Sequence, residues 1–164
     1  MPLSNMPNAG DYSIQNAEVA TSQMKIFEFQ NRVKDALNGL EELVQGGCRA
    51  FAEDAHGVYD KSAQWVSGGK VALVVVTPEI SRSASPGEDG GIPVEGRLLV
   101  RCVEKPSLVS RNESVVRALD AAESVAHALD GDVVSFSSIR QFVDKATGIL
   151  TATAEFDFSI FLTK

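Results

Sequence analysis

The stretch that most constrains the fold is the C-terminal one. Leu150, Ala152, Ala154, Phe156, Phe158, Ile160 and Leu162 alternate with Thr151, Thr153, Glu155, Asp157, Ser159 and Phe161. Side chains on a strand point to opposite faces with period 2, so this segment predicts a long β-strand with one buried and one mostly wet face. A helix would scatter the same residues around its circumference. Such a strand needs hydrogen-bonding neighbours for its backbone and a cover for its apolar face, and the rest of the chain must supply both.

The cover comes from two helical patterns. From Ser22 to Gln45, the positions Ile26, Phe29, Val33, Leu37, Leu40 and Val44 fall on one stripe of a 3.6-residue period, and Gly46-Gly47 ends it. A second helix is expected from the capping sequence Ser110-Arg-Asn-Glu113 to Leu129, with Val115, Leu119, Ala122, Ala126 and Leu129 inward and Gly131 as its stop. The neighbours come from hairpins. Val71–Val76 is a continuous β-branched run, as in an interior strand covered on both faces, and Pro78 ends or bulges it. The chain returns as Val94–Glu104 after an acidic, Gly-rich segment, Arg82–Pro93, that is longer than an ordinary hairpin turn. Val133–Val143 pairs with the C-terminal strand through Asp144-Lys-Ala-Thr-Gly148, where Asp144 starts a turn and Gly148 can take a positive φ. Between these, Cys48–Gly69 is the least regular part. It is expected to hold a short strand near Cys48–Phe51 and a helical turn near Tyr59–Val66 that carries Trp65 as a packing anchor. The order α-β-β-α-β-β predicts one α+β domain, residues 22–164, with a four-stranded mixed or antiparallel sheet and both helices on one face. Residues 1–21, with Pro2, Pro7 and Gly10, are expected to form a flexible, polar N-terminal arm, either a frayed terminus or one that orders against a neighbouring subunit through Tyr12 and Ile14.

Several chemistries find no support. The 164 residues carry a net charge of −7, the wrong sign for gripping phosphate. No apolar run approaches the roughly 20 residues of a membrane span. Residues 1–20 lack the basic and apolar regions of a secretory signal. Cys48 and Cys102 form no motif and are expected to be reduced packing residues. Glu53, Asp54, His56 and Asp60 are metal-ligand types but match no known spacing, so no metal is expected. The segment around Gly87, Gly90 and Gly91 lacks GxGxxG and GK[ST] and carries acids where phosphate wants donors. His127, near a helix end, stands in no catalytic constellation. The sequence therefore predicts neither an enzyme nor a cofactor.

Taken together, the amphipathic helix Ile26–Val44, the hairpin Val71–Glu104 with its long tip, the helix Val115–Leu129, and the closing hairpin through Asp144-Lys-Ala-Thr-Gly148 into Leu150–Leu162 resemble the tail terminator, or tail-completion, proteins of long-tailed bacteriophages and prophages. The resemblance implies a non-catalytic structural protein of the virion tail, assembled in the bacterial cytoplasm. Such proteins form a ring, typically a hexamer, on the head-proximal end of the tail tube; they stop tube growth and provide the surface on which the head–tail connector docks. Self, tube protein and connector are then the expected partners, with DNA passing through unbound: each copy adds −7 to the ring, so a lumen lined by loop acids repels phosphate. Arg82, Glu88, Asp89, Glu95, Arg101 and Phe161 are the candidate residues of the subunit or partner interface. The alternative is a small α+β ligand-binding or regulatory domain that dimerises through an open sheet face.

Overall fold

The computed structural model describes residues 23–53, 58–83, 91–109 and 114–163. In chain order the elements are β1 (Gln23–Met24), α1 (Ile26–Asn38), α2 (Glu41–Gln45), β2 (Cys48–Ala52), α3 (Val58–Ser67), β3 (Val71–Val75), β4 (Glu79–Arg82), β5 (Ile92–Glu104), α4 (Pro106–Val109), α5 (Ala118–Leu129), β6 (Val134–Asp144) and β7 (Ile149–Leu162). The chain is α+β, with a mixed sheet and helices packed against it. The sheet is larger than the four strands expected from sequence: the order is β1-β7-β5-β3-β2, with β4 also pairing β5 and β6 also pairing β7. The β1–β7 and β2–β3 pairs are parallel and the others antiparallel. β5 and β6 are not neighbours; β7, the C-terminal strand, lies between them and pairs with both along most of its length.

One face of this sheet is the core. Ala152, Ala154, Phe156, Phe158 and Ile160 of β7 lie beside Leu98, Val100 and Cys102 of β5 and Val71, Leu73 and Val75 of β3, all buried. α1 covers them with Phe29, Val33 and Leu37, and the Phe29 ring stacks on Phe158 at 4.5 Å between centroids. α5 covers the rest with small residues, Ala118, Ala121, Ala122 and Val125, which let the helix approach the sheet closely. Burying a side chain such as Phe29 contributes about 1.5–3 kcal/mol. Gln30, buried within this layer, spends both amide hydrogens on the carbonyls of Glu53 (2.8 Å) and Val75 (2.9 Å), tying α1 to the ends of two parallel strands.

The structure corrects four expectations. The first helix is not continuous to Gln45: it ends at Gly39, Leu40 takes an extended conformation, and α2 restarts at Glu41. The apolar stripe therefore changes phase, with Leu43 buried and Val44 exposed. The second long helix starts at Ala118, not in the capping sequence. Its first N–H donates to Glu104 at the end of β5, whose carboxylate also takes the Arg117 guanidinium, so the cap is tertiary. Leu119, expected inward, is consequently exposed. Third, although α1 and α5 share one face as expected, the shorter α3 lies on the other. Cys48 and Ala50 of β2 and Val71, Leu73 and Val75 of β3 join the main core, whereas Arg49, Ala72 and Val74 point the other way, where α3 lies over β2 and β3 with Val66 and Trp65. Fourth, β1 and β4 were not expected from sequence at all. The residues 1–22, 54–57, 84–90, 110–113 and 164 fall outside the described ones. These include the expected arm, Asp54, His56, the hairpin-tip residues Glu88 and Asp89, and the Ser110–Glu113 capping sequence; the side chain of Asp60 does so too.

Candidate assembly surface

The second face of the sheet, away from α1 and α5, is where the sequence-derived candidates can be placed. Alternation puts the odd-numbered residues of β5 and β7 on it, and register arranges them in rows across the strands. Ser81, Glu95 and Ser159 form one row; Glu79, Arg97, Asp157 and Ser135 the next; then Leu99, Glu155 and Ser138; Val74, Arg101, Thr153 and Arg140; and Ala72, Val103, Thr151 and Phe142. α3 covers the β2–β3 end of this face; among the described residues, the part from β4 across β5 and β7 to β6 carries no covering element.

Glu95, Arg101 and Phe161 thus lie on one surface, with Glu95 exposed and Arg101 and Phe161 half-buried. Arg82 does not join them: it pairs with Val94, a core-face position, and its exposed side chain sits at the sheet margin. Sequence reasoning missed the residue at the centre of the surface. Arg97 lies 3.8 Å from Glu79 on β4 and 3.5 Å from Glu155 on β7, and Asp157 is its cross-strand neighbour. One cation among three carboxylates spans three strands. These pairs are largely exposed, so they contribute little to stability, but they fix a charge pattern that a partner must match. The signal was available: Arg97 shares parity with Glu95 and Arg101.

At the β4 end a wide depression of about 370 Å³ is lined by Ser81, Glu95, Arg97, Asp132, Ser135 and Asp157 among others. It is polar and shallow. A narrower groove of about 310 Å³ runs between α5 and β6, lined by Glu123, Ala126, His127, Asp130, Phe136 and Ile139. Phe136 is partly exposed there, its ring meeting Phe156 edge-on at 5.8 Å. Near Trp65, Lys70 Nζ sits 4.2 Å from the indole and the Arg49 guanidinium 5.7 Å from it, while the indole N–H donates to the carbonyls of Gly47 and Val71. That ring is a packing anchor, as expected from sequence.

Both cysteines are free and buried in the core, and burial pushes the Cys48 thiol up to about 12 and Cys102 higher still. Neither supplies a thiolate at neutral pH. Among the described residues no group of three or more His, Cys, Asp or Glu side chains could hold a metal ion, and Glu53 accepts from the Thr77 backbone N–H. No described helix is long and apolar enough to cross a membrane.

No family model matches the chain, and no curated protein does. Among solved structures, the chain is similar to a component of the virion of a native gene transfer agent particle, at 11% identity and a TM-score of 0.46 over 89% of this chain and 98% of that one. It is also similar to a protein from Akkermansia muciniphila, at 12% identity and a TM-score of 0.33 over 98% of this chain and 89% of that one.

Proposed function

We propose that the protein is a structural component of a phage-like particle, a tail-completion subunit that forms a ring on the head-proximal end of the tail tube and presents the surface on which the connector docks. The observation that carries the reading is the half of the second sheet face that no described element covers. It is broad, with only a shallow depression at its β4 end, a charge pattern centred on Arg97 and apolar positions at Leu99, Val103, Phe142 and Phe161 around it. A broad, shallow surface of mixed character suits another protein better than a small molecule, which needs a concave site that encloses most of its area. Contact between this face and a different patch on the next copy is heterologous, and it closes into a ring when the rotation per subunit allows. Glu88 and Asp89 would then line the lumen or the docking surface.

Light scattering and negative-stain imaging, with and without tube protein, test the reading. Rings, either free or formed only on tube ends, support it. A chain that neither forms rings nor binds tube ends at high concentration refutes it. The second reading, a dimeric ligand-binding or regulatory domain, draws on the groove between α5 and β6. It predicts a dimer of fixed mass whose stability rises with a small ligand in that groove.

A further inference from the structure

We propose that Asn38–Gly39 is a deamidation site gated by the β2 margin: the pair is unreactive while Asn38 holds Ala50, and once released it converts to a carboxyl group that no longer fits there. This inference does not depend on the assembly reading.

Asn38 is the last residue of α1, Gly39 caps that helix, and no other asparagine in the sequence is followed by glycine. The succession matters because a glycine nitrogen has no neighbouring Cβ to hinder its approach to the side-chain amide carbon of the residue before it. Both residues lie at the surface, within reach of water. Each reacting group is nevertheless tied down. β2 is the last strand in the sheet order, and there Asn38 Oδ1 accepts from the Ala50 N–H (2.8 Å) while Asn38 Nδ2 donates to the Ala50 carbonyl (3.1 Å). A side-chain amide thus stands in for a neighbouring strand. The Gly39 N–H, for its part, donates to the carbonyls of Asp35 (3.0 Å) and Ala36 (3.2 Å). The backbone itself does not require glycine at this point. Its φ of −87° and ψ of −7° are right-handed, and a Cβ would meet the Ala36 and Asp35 carbonyl oxygens at 3.4 and 3.5 Å, ordinary contact distances.

When this corner opens, the Gly39 nitrogen can attack Asn38 Cγ. A bond forms between them, the Cγ–Nδ2 bond breaks, and ammonia leaves with the proton of the Gly39 nitrogen, which closes a five-membered succinimide. Water then adds to either of its carbonyls and opens the ring. The products are aspartate, and isoaspartate in which the main chain runs on through Cγ. Attack requires that the native hydrogen bonds of Asn38 and Gly39 be given up first, so the rate follows local opening of the α1–β2 corner. Neither product restores the closure. A carboxylate has no N–H for the Ala50 carbonyl, and an oxygen placed where Nδ2 stood would face that carbonyl lone pair to lone pair. Isoaspartate also lengthens the backbone by one carbon between Leu37 and Leu40, both of which are buried in the core. The modification therefore acts in one direction, turning a transient opening of the margin into a lasting one.

Peptide mapping by mass spectrometry tests this, on the full chain kept native and on the same chain held unfolded in guanidinium chloride. The peptide containing residue 38 should convert from amide to acid at least about a hundredfold more slowly in the native protein. That protection should agree within about tenfold with the hydrogen-exchange protection of the Ala50 amide, because both wait on the same opening. Equal conversion in native and unfolded chains overturns the proposal, as does an unfolded chain in which residue 38 converts no faster than its other asparagines. Native conversion that bears no relation to Ala50 exchange overturns the gating. Gly39→Ala should leave Ala50 protection unchanged and slow conversion in the unfolded chain at least about tenfold; conversion as fast as in wild type overturns the role of the glycine. In the deamidated product, separated by charge, the Ala50 amide should exchange at least about tenfold faster, while that of Val100 in the interior strand β5 stays the same. A product with Ala50 still protected overturns the one-way step. If the isoaspartyl product loosens Val100 as well, Asn38→Asp, which lacks the extra backbone carbon, decides in the same way.

Discussion

Removing the positive charge from the β5–α5 junction should destabilise the protein more than removing the negative one. Glu104 is 1% exposed, and its carboxylate accepts from Arg117 Nε at 2.7 Å and from the Ala118 N–H at 2.9 Å. The Arg117 side chain is 44% exposed. The asymmetry follows from where each group goes when its partner is lost. In Arg117→Met the carboxylate stays buried with a single backbone donor, a situation that costs about 3–5 kcal/mol. In Glu104→Gln the guanidinium turns into water, while the neutral amide can still accept from Ala118. What is lost is mainly one charge-assisted bond, about 1.5–3 kcal/mol. In the double variant Glu104→Leu/Arg117→Met no charge remains buried, so it should recover at least about 2 kcal/mol relative to Arg117→Met. Urea unfolding at pH 7 reads these differences directly. At about 2–4 °C per kcal/mol for a domain of this size, Arg117→Met should also lower Tm by roughly 6–20 °C. Arg117→Met within about 0.5 kcal/mol of wild type, or a double variant whose cost is the sum of its parts, would refute the reasoning.

Three further outcomes are expected. Asn38→Ala unseats both bonds to Ala50 and should cost about 1–3 kcal/mol in urea unfolding; it should also raise the tendency to self-associate in light scattering, because it frees the β2 margin. Arg97→Glu sets a fourth carboxylate among Glu79, Glu155 and Asp157. In this exposed setting it should shift stability by only about 1 kcal/mol; under the proposed function it should also abolish ring formation on tube ends in negative stain. For the cysteines, folding raises Cys48 from an ordinary 9.0 to about 12 and Cys102 in the same direction, so above about pH 9 the unfolded chain holds fewer protons than the native one. Stability is full below that pH and is lost above it, by about 1.4 kcal/mol per pH unit for each thiol. Cys48→Ala/Cys102→Ala should remove that part of the slope in unfolding series between pH 8 and pH 11; an unchanged slope would count against it.

What the sequence revealed and what it hid divide along a physical line. Elements whose burial repeats along the chain were legible. β7 and its alternation, the doubly covered run Val71–Val75, and the turn in which Gly148 takes φ 73° behind Asp144 were all read correctly. Features set by distant residues were not. The helix break at Gly39–Leu40 was hidden because the 3.6-residue period of apolar positions continues through Leu40 to Val44; Gly39 was its one local sign. The start of α5 depends on an acceptor 14 residues upstream in β5, which no local capping pattern announces. β1 and β4, two and four residues long, are too short for any period. The assembly surface was half legible for the same reason. Parity within β5 places Glu95 and Arg101 together, but only register brings Phe161 of β7 to the same face and Glu79 and Glu155 to Arg97.

Among the described residues two regions of this sheet are left open, and they would direct association along different axes. The face around Arg97 presents side chains, so it selects partners by charge and shape and tolerates small shifts in register. The margin of β6 presents backbone, which pairs with any extended strand and selects almost nothing. A subunit meant to add to one specific neighbour has to keep the second region closed while leaving the first available. Asn38 does this at β2 with a single side chain. At β6 the α5–β6 connection closes only as far as Phe136, beyond which a β-bulge turns a new set of backbone groups outward. Cover at that margin would suppress indiscriminate pairing there without using any of the Arg97 surface.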